Sequence, residues 1–444
     1  MPLRNPLRLP IRSPTPIARG LAGLFAGALV WAALALPATA QNVEYSALFE
    51  GLKPGLFTVE VVDRVSNNKN AIGSAFAVDG AGRLATNYHV VSEYLLDPER
   101  YALRYRDVVG ETGPLELLDV DVLHDLALVR IDDPGVRPAA VFELATSAPA
   151  DGSTLLALGN PYDIGISIVP GTYNGLLANQ YRKNIHFTGA LNPGMSGGPA
   201  VNLAGEVVGI NVAGAGNSVS FLVPVANLRR LIDRAPVEAP SMDALRERIP
   251  GRILEHQDAM LDDLLAGDWT PEPFGPLRIP REIRPWVSCT GGSREADPDQ
   301  PWQQSTSNCT LNDRIYLSRT LDTGPLEILF GWYRSDSLNG FQLARAFSQN
   351  TFLAFNRTGE DDVTEFECSE DWAAPVSLAP VAFKTSYCVR AYADYPGLYD
   401  VLFVARAQRQ GPEAVFIHYT LAGVGLEQAR RFHQRLLESV SWTS

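Results

Sequence analysis

Lysine is nearly absent from this chain, cysteine does not occur before residue 289, and no long apolar run comes after residue 40. Each scarcity excludes something. The first 40 residues hold four Arg and no acid, so the other 404 balance 33 basic against 50 acidic side chains, a charge of −17. A surface of that sign repels phosphate backbones, and no run of Lys or Arg interrupts it, which argues against a nucleic-acid partner. There is no H-x-x-x-H, H-E-x-x-H or C-x-x-C pair, so neither a catalytic metal nor a zinc knuckle is expected, and nothing calls for another cofactor. After residue 40 no segment reaches the roughly 18 apolar residues that a membrane helix needs. With 46% hydrophobic residues the chain is not disordered, and its 444 residues are enough for two or three domains.

The opening segment reads as an address. Arg4, Arg8, Arg12 and Arg19 precede an apolar stretch at 21–36, and Ala38-Thr39-Ala40 supplies the small residues of a cleavage site. Residues 1–40 are therefore expected to be a signal peptide, with Gln41 as the mature N-terminus and a periplasmic or secreted destination. Export fits the cysteines. Cys289, Cys309, Cys368 and Cys388 are an even set, which allows two disulfides in any of three connectivities. Equal 20-residue gaps make Cys289–Cys309 and Cys368–Cys388 the simplest choice.

From 45 to about 235 the chain is a series of short β-branched and apolar runs bounded by Gly, Asn and Asp, such as GLFTVEVVD (55–63), GRLATNYHVV (82–91), LALVRID (126–132) and GEVVGINVA (205–213). That spacing predicts an all-β barrel or sandwich, closed by a helix over 226–235. Residues 236–285 are expected to be a linker, helical over 242–267 and then, with five prolines in 269–285, without regular structure. Residues 286–444 combine strand-like runs with an amphipathic helix at 426–440, and predict a separate, disulfide-containing α+β domain.

The chemistry concentrates in NPGMSGGPA (192–200). Ser196 lies in a glycine-rich turn, where the backbone can curl so that the N–H groups of Gly194 and Ser196 converge on one point, an oxyanion hole for acyl transfer. The same string satisfies G-x-S-x-G, the strand-to-helix elbow of α/β-hydrolases. An elbow runs on into a helix, but this chain continues as a hairpin pattern with a turn near Ala204-Gly205. The later His256, His418 and His433 sit in no glycine-marked loop. Upstream, His89 ends one strand-like run and Asp125 precedes another. The order His89, Asp125, Ser196 suits a triad in which the carboxylate fixes the imidazole and the imidazole takes the hydroxyl proton. Asp119 and Asp121 are rival orienters, His124 a surface neighbour, and His186 a strand residue.

GSAFAVDGAGRLATNYHVV, HDLALVRID, LLALGNPYDIG and NPGMSGGPAVNLAGEVVGINVA resemble the trypsin-like serine peptidases of the HtrA (Do-like) group, over about 45–235. The resemblance implies an all-β double six-stranded barrel of the chymotrypsin/trypsin type, with His89 as base, Asp125 as orienter, Ser196 as nucleophile and polypeptide as substrate. It also implies an S1 pocket with its floor at Ala190 and a wall at Asn211, Val212, Ala213 and Gly214. None of these is charged, which suits aliphatic P1 side chains. Met195 stands where the group usually has Asn, no PDZ-type carboxylate-binding loop is recognisable after 240, and no zymogen cleavage site is visible. The competing expectation is a catalytically silent or highly selective scaffold that recognises its target through 286–444. That region is in either case the expected surface for a partner protein or a second copy of the chain.

Overall fold

The computed structural model describes residues 38–216, 219–348, 354–374, 376–379, 381–408 and 412–443. The expected signal peptide lies outside these except for Ala38–Ala40, which open a helix, Ala38–Leu52. Residues 49–444 form one compact unit.

Two antiparallel barrels of six strands come first. In the first, β1 (Leu56–Asp63), β2 (Lys69–Ala77), β3 (Arg83–Thr86), β4 (Tyr101–Arg106), β5 (Thr112–Asp121) and β6 (Leu126–Ile131) close in the order β1-β2-β3-β6-β5-β4. The second closes as β10-β11-β12-β9-β8-β7, from β7 (Thr154–Gly159), β8 (Ser167–Leu176), β9 (Ile185–Phe187), β10 (Pro199–Val201), β11 (Val207–Gly216) and β12 (Val219–Pro224). The period of two is plain in β4, where Tyr101, Leu103 and Tyr105 are buried while Arg104 and Arg106 face outward. The helix Val225–Arg234 succeeds β12, and its last residue ties back to the first barrel, Arg234 Nε lying 2.9 Å from Asp119 Oδ2.

The segment expected to be a linker is built into the cores on either side. In the helix Ile249–Leu265, Ile249 and Ile253 enter the core of the first barrel, whereas Met260, Leu261 and Leu264 enter that of the C-terminal region. The proline-rich stretch corrects an expectation, because it is regular. Strands β13 (Pro271–Phe274) and β14 (Leu277–Pro280) form a hairpin, extended by the short C-terminal strand Ser441–Trp442. Pro271 and Pro273 lie two apart on β13, the outer strand, so both can direct their missing N–H away from the ladder, and Pro280 ends β14. Gly275, at φ +55°, makes the turn.

Beyond it, β15 (Ser288–Arg294), β16 (Gln303–Leu311), β19 (Leu326–Arg334), β20 (Glu367–Ala373), β21 (Phe383–Ala391), β22 (Tyr399–Gln408) and β23 (Glu413–Val424) form one antiparallel sheet, ordered β15-β16-β19-β23-β22-β21-β20. A separate two-stranded ribbon, β17 (Ile315–Tyr316) with β18 (Asp322–Thr323), lies between β16 and β19 in sequence. Central β23 is buried on both faces because a helix covers each: Leu426–Glu438 through Ala429, Phe432 and Leu436, and Gly340–Ser348 through Leu343 and Phe347. The disulfides are Cys289–Cys309 and Cys368–Cys388, each joining an edge strand to its neighbour at directly opposed residues.

Candidate active site

Strand β3 ends at Thr86, and the chain turns at Asn87 into the helix Tyr88–Leu96. His89 therefore stands in the first turn of a helix, not at a strand end as its flanking sequence suggested. Asp125 lies in the loop before β6, with φ +53°. That left-handed backbone is held by Asn87, whose Nδ2 donates to the Asp125 carbonyl at 2.7 Å. The Asp125 carboxylate then grips His89 at two points: Oδ1 accepts the backbone N–H at 2.8 Å, and Oδ2 lies 2.6 Å from Nδ1. Burial alone would lower the pKa of His89, but the adjacent carboxylate outweighs it and holds the imidazole above its ordinary 6.5. A carboxylate on Nδ1 leaves Nε2 free to exchange a proton.

Ser196 is carried by the loop between β9 and β10, and this loop is bonded from several directions. Gly194 has φ +94°, and a Cβ there would lie 2.3 Å from the Asn160 carbonyl oxygen, so only glycine fits. The Gly194 carbonyl accepts from Ser74 Oγ at 2.7 Å, the Pro193 carbonyl from Tyr162 N–H at 2.8 Å, and the Ser196 carbonyl from Ser74 N–H at 2.7 Å. With these carbonyls engaged, the N–H groups of Gly194 and Ser196 have no acceptor among the described residues. Met195 is fully buried in the core of the second barrel, with Leu155, Ala157, Phe187 and Leu222. An apolar residue thus anchors the loop from below.

A cavity of about 380 Å³ joins these groups. His89, Ser196 and Gly194 line it, with Ile72, Leu191, Asn192, Pro193, Asn211 and Val212. Within that lining His89 alone titrates. Ser196 Oγ donates to the Val212 carbonyl at 3.0 Å, so the hydroxyl points along β11 and not at the imidazole. Of the residues expected to shape S1, Asn211 and Val212 line the cavity, Ala190 is exposed and outside the lining, and Ala213 and Gly214 continue the backbone of β11. The Asn211 side chain is spent on structure, its Nδ2 donating to the Leu158 carbonyl at 2.9 Å.

The rival groups are occupied elsewhere. Asp119 meets Arg234, and Asp121 meets His124 Nδ1 at 3.0 Å. Burial would raise the pKa of Asp121, yet His124 and Arg234 hold it down at about 2. His186 lies on β9, as expected of a strand residue. Strand β10 after Ser196 pairs with β11 through a turn at Gly205, which excludes the strand-to-helix elbow. One neighbour of the site carried no signal in the sequence: the ring of Tyr316, on β17, lies 6.0 Å from that of His89.

A family model described as the trypsin-like peptidase domain matches residues 73–210. Over this stretch the chain is similar to HtrA-like, trypsin-like serine peptidases. It is 30% identical over 195 residues to the serine protease HTRA1B of Danio rerio, covering 41% of this chain and 39% of that protein. It is 31% identical over 173 residues to a probable periplasmic serine endoprotease, DegP-like, of Brucella suis, covering 37% and 33%. The chain thus spans less than two-fifths of the length of these relatives. A crystal structure of the Yersinia pestis serine endoprotease matches with a TM-score of 0.38 and 24% identity, covering 45% of this chain and 67% of that one.

Proposed function

We propose that the chain is an exported serine endopeptidase that cuts polypeptides through an acyl-enzyme. The observation that carries this reading is the two-point grip of Asp125 on His89 within a cavity that Ser196 shares. Ser196 Oγ turns from Val212 towards Nε2 of His89, gives up its proton there and bonds to the scissile carbonyl carbon. The N–H groups of Gly194 and Ser196 receive the oxyanion. The amine leaves with the proton from Nε2, and water, deprotonated by the same nitrogen, releases the acyl group from Ser196. Asp125 keeps the imidazole in the right tautomer and stabilises its cation.

Substrate choice derives from the lining. Ile72, Leu191, Pro193 and Val212 offer no carboxylate to a Lys or Arg side chain, which would lose its hydration unpaired. Asp163 is held by Lys69 at 2.6 Å and by Arg106, and Glu206 by Asn202 at 2.8 Å, so neither turns the pocket acidic. Aliphatic P1 residues are the expected preference. The basic and apolar segment before Gln41, together with a DegP-like relative named periplasmic, supports export.

The hydroxyl bond from Ser196 to Val212 is what favours the scaffold reading, in which the site is silent. A fluorophosphonate probe decides between the two. Labelling of the wild type, its absence in Ser196→Ala, and a fall in kcat on the order of 10⁶ support the peptidase. Asp125→Asn should cost about 10⁴ in kcat. Equal labelling of wild type and Ser196→Ala, or none of either, rejects it.

A further inference from the structure

The segment 313–321 lies in the C-terminal half of the sequence, yet it is bonded to the helix that carries His89 and, through Arg182, to the loop that carries Asp125. On the His89 side, Ile315 and Leu317 are fully buried in the core of the first barrel, in the cluster that holds Tyr88, Val91 and Leu95 of the catalytic helix. Tyr88 Oη donates to the Leu317 carbonyl at 2.9 Å. One turn further along that helix, Glu93 lies 3.4 Å from Arg319 Nε. On the Asp125 side, Asp313 accepts from the Arg182 backbone N–H at 2.7 Å and pairs with its guanidinium at 2.8 Å. The same guanidinium bonds to the carbonyl of Leu123, two residues before Asp125.

Between these anchors stands Tyr316. Its ring meets His89 edge-on, at 6.0 Å and 72°, and Tyr88 at 6.1 Å and 69°. Its hydroxyl lies 3.4 Å from Ser92 Oγ, on the same helix. Aromatic pairs favour this edge-to-face arrangement, which fixes the plane of each ring relative to the other. An imidazole that must bond Asp125 through Nδ1 and face a substrate through Nε2 has one useful orientation, and small misplacements of reacting groups are costly. Glycines and backbone bonds fix the nucleophile loop from within the barrels, whereas this ring contact on the base comes from outside them.

We propose that segment 313–321 completes the active site, with Tyr316 a positioning residue that holds the His89 ring against Asp125. The proposal rests on reading His89 as the catalytic base. It makes the C-terminal region a working part of the peptidase, since β17 stays in place only while that region is docked.

The test uses the full chain and three variants, Tyr316→Ala, Tyr316→Leu and Tyr316→Phe, with peptide hydrolysis monitored from about pH 5 to pH 9 and thermal unfolding measured in parallel. Tyr316→Ala should lower kcat by about 10- to 100-fold with KM nearly unchanged. The charged group facing the His89 ring is the Asp125 carboxylate, with the phenols of Tyr88 and Tyr316 beside it; Glu93 is engaged by Arg319. Water admitted next to the ring weakens both the burial and the carboxylate effects, so the acid limb of kcat/KM should move down towards the ordinary value near 6.5. Tyr316→Phe keeps the ring and should restore rate and limb. Tyr316→Leu keeps the bulk without the ring and should resemble Ala in rate while still folding. A folded Ala or Leu variant with wild-type kcat and an unmoved acid limb overturns the proposal. A wild type that no fluorophosphonate labels overturns the peptidase reading instead, so the two failures are distinct.

Discussion

The two barrels have the same topology and opposite dependence on the rest of the chain. The second, which carries Ser196, keeps its core to residues between Ala145 and Leu222. The first, which carries His89 and Asp125, shares its core with Leu245, Ile249 and Ile253 from the helical segment, Ile315, Leu317 and Leu321 from the β17 region, and Tyr392, Tyr395 and Leu398. Its outer wall is also charged: Glu60, 1% exposed, meets Lys69, Arg104 and Arg106, which hold its carboxyl ionised against the effect of burial. The half that carries His89 and Asp125 thus shares its core with the rest of the chain, and the half that carries Ser196 stands on its own core. The barrels differ in how each is supported.

The sharpest way to break this contrast is to remove the support. A chain ending at Arg234 loses nine apolar side chains from the core of the first barrel and none from that of the second. At about 1.5–3 kcal/mol for each buried side chain, the loss of about 14–27 kcal/mol is comparable to or larger than the roughly 5–15 kcal/mol that a domain has in total. Hydrogen exchange should find the amides of 56–131 unprotected and those of 154–224 retaining protection; equal protection of both would refute the asymmetry. Next in size is a single cavity. Ile253 belongs to neither barrel yet is fully buried against the first, so Ile253→Ala should cost about 2–5 kcal/mol in denaturant unfolding. A cost near zero would mean that the helix merely rests on the barrel.

The smallest effect concerns protons. Because the pKa of His89 is raised in the fold, its ion pair with Asp125 stabilises the protein fully below about 6.5 and ceases to do so as pH rises through the raised value. Catalysis needs the neutral imidazole and runs the opposite way. Activity should therefore climb through a midpoint above 6.5 while this contribution to stability falls, and Asp125→Asn should remove the stability slope. Melting curves over the same pH range as the rate profile check both signs.

The barrels were legible because period-two runs such as YALRYR face one core and repeat at turn-bounded intervals. Local context brought out the pairing of His89 with Asp125 and the cavity that His89 shares with Ser196, and the even cysteine spacing led to the observed pairs. Three things were not legible. His89 begins a helix, although the run from Gly82 to Val91 has the composition of a strand; the switch comes at Asn87, whose extended backbone ends one element and starts the next. The proline-rich stretch forms a hairpin because its strand prolines fall on the outer strand or at the last position of the inner one, which depends on what pairs with it. Tyr316 reaches His89 across more than 200 residues of chain, and no local pattern encodes a contact between distant segments that one shared core brings together.

The two disulfides carry a consequence for a chain that cuts polypeptides as proposed. A chain segment must leave its sheet before it can lie extended in a protease cleft, and the outermost strands are the easiest to peel away. Here β15 and β20, the two margins of the seven-stranded sheet, are each tied covalently to the strand inside them. Each bridge also closes a loop, so a nick between Cys289 and Cys309, or between Cys368 and Cys388, leaves both new ends tethered to the sheet. The C-terminal region is thereby held together where a sheet is weakest, and a cut in either loop stays local.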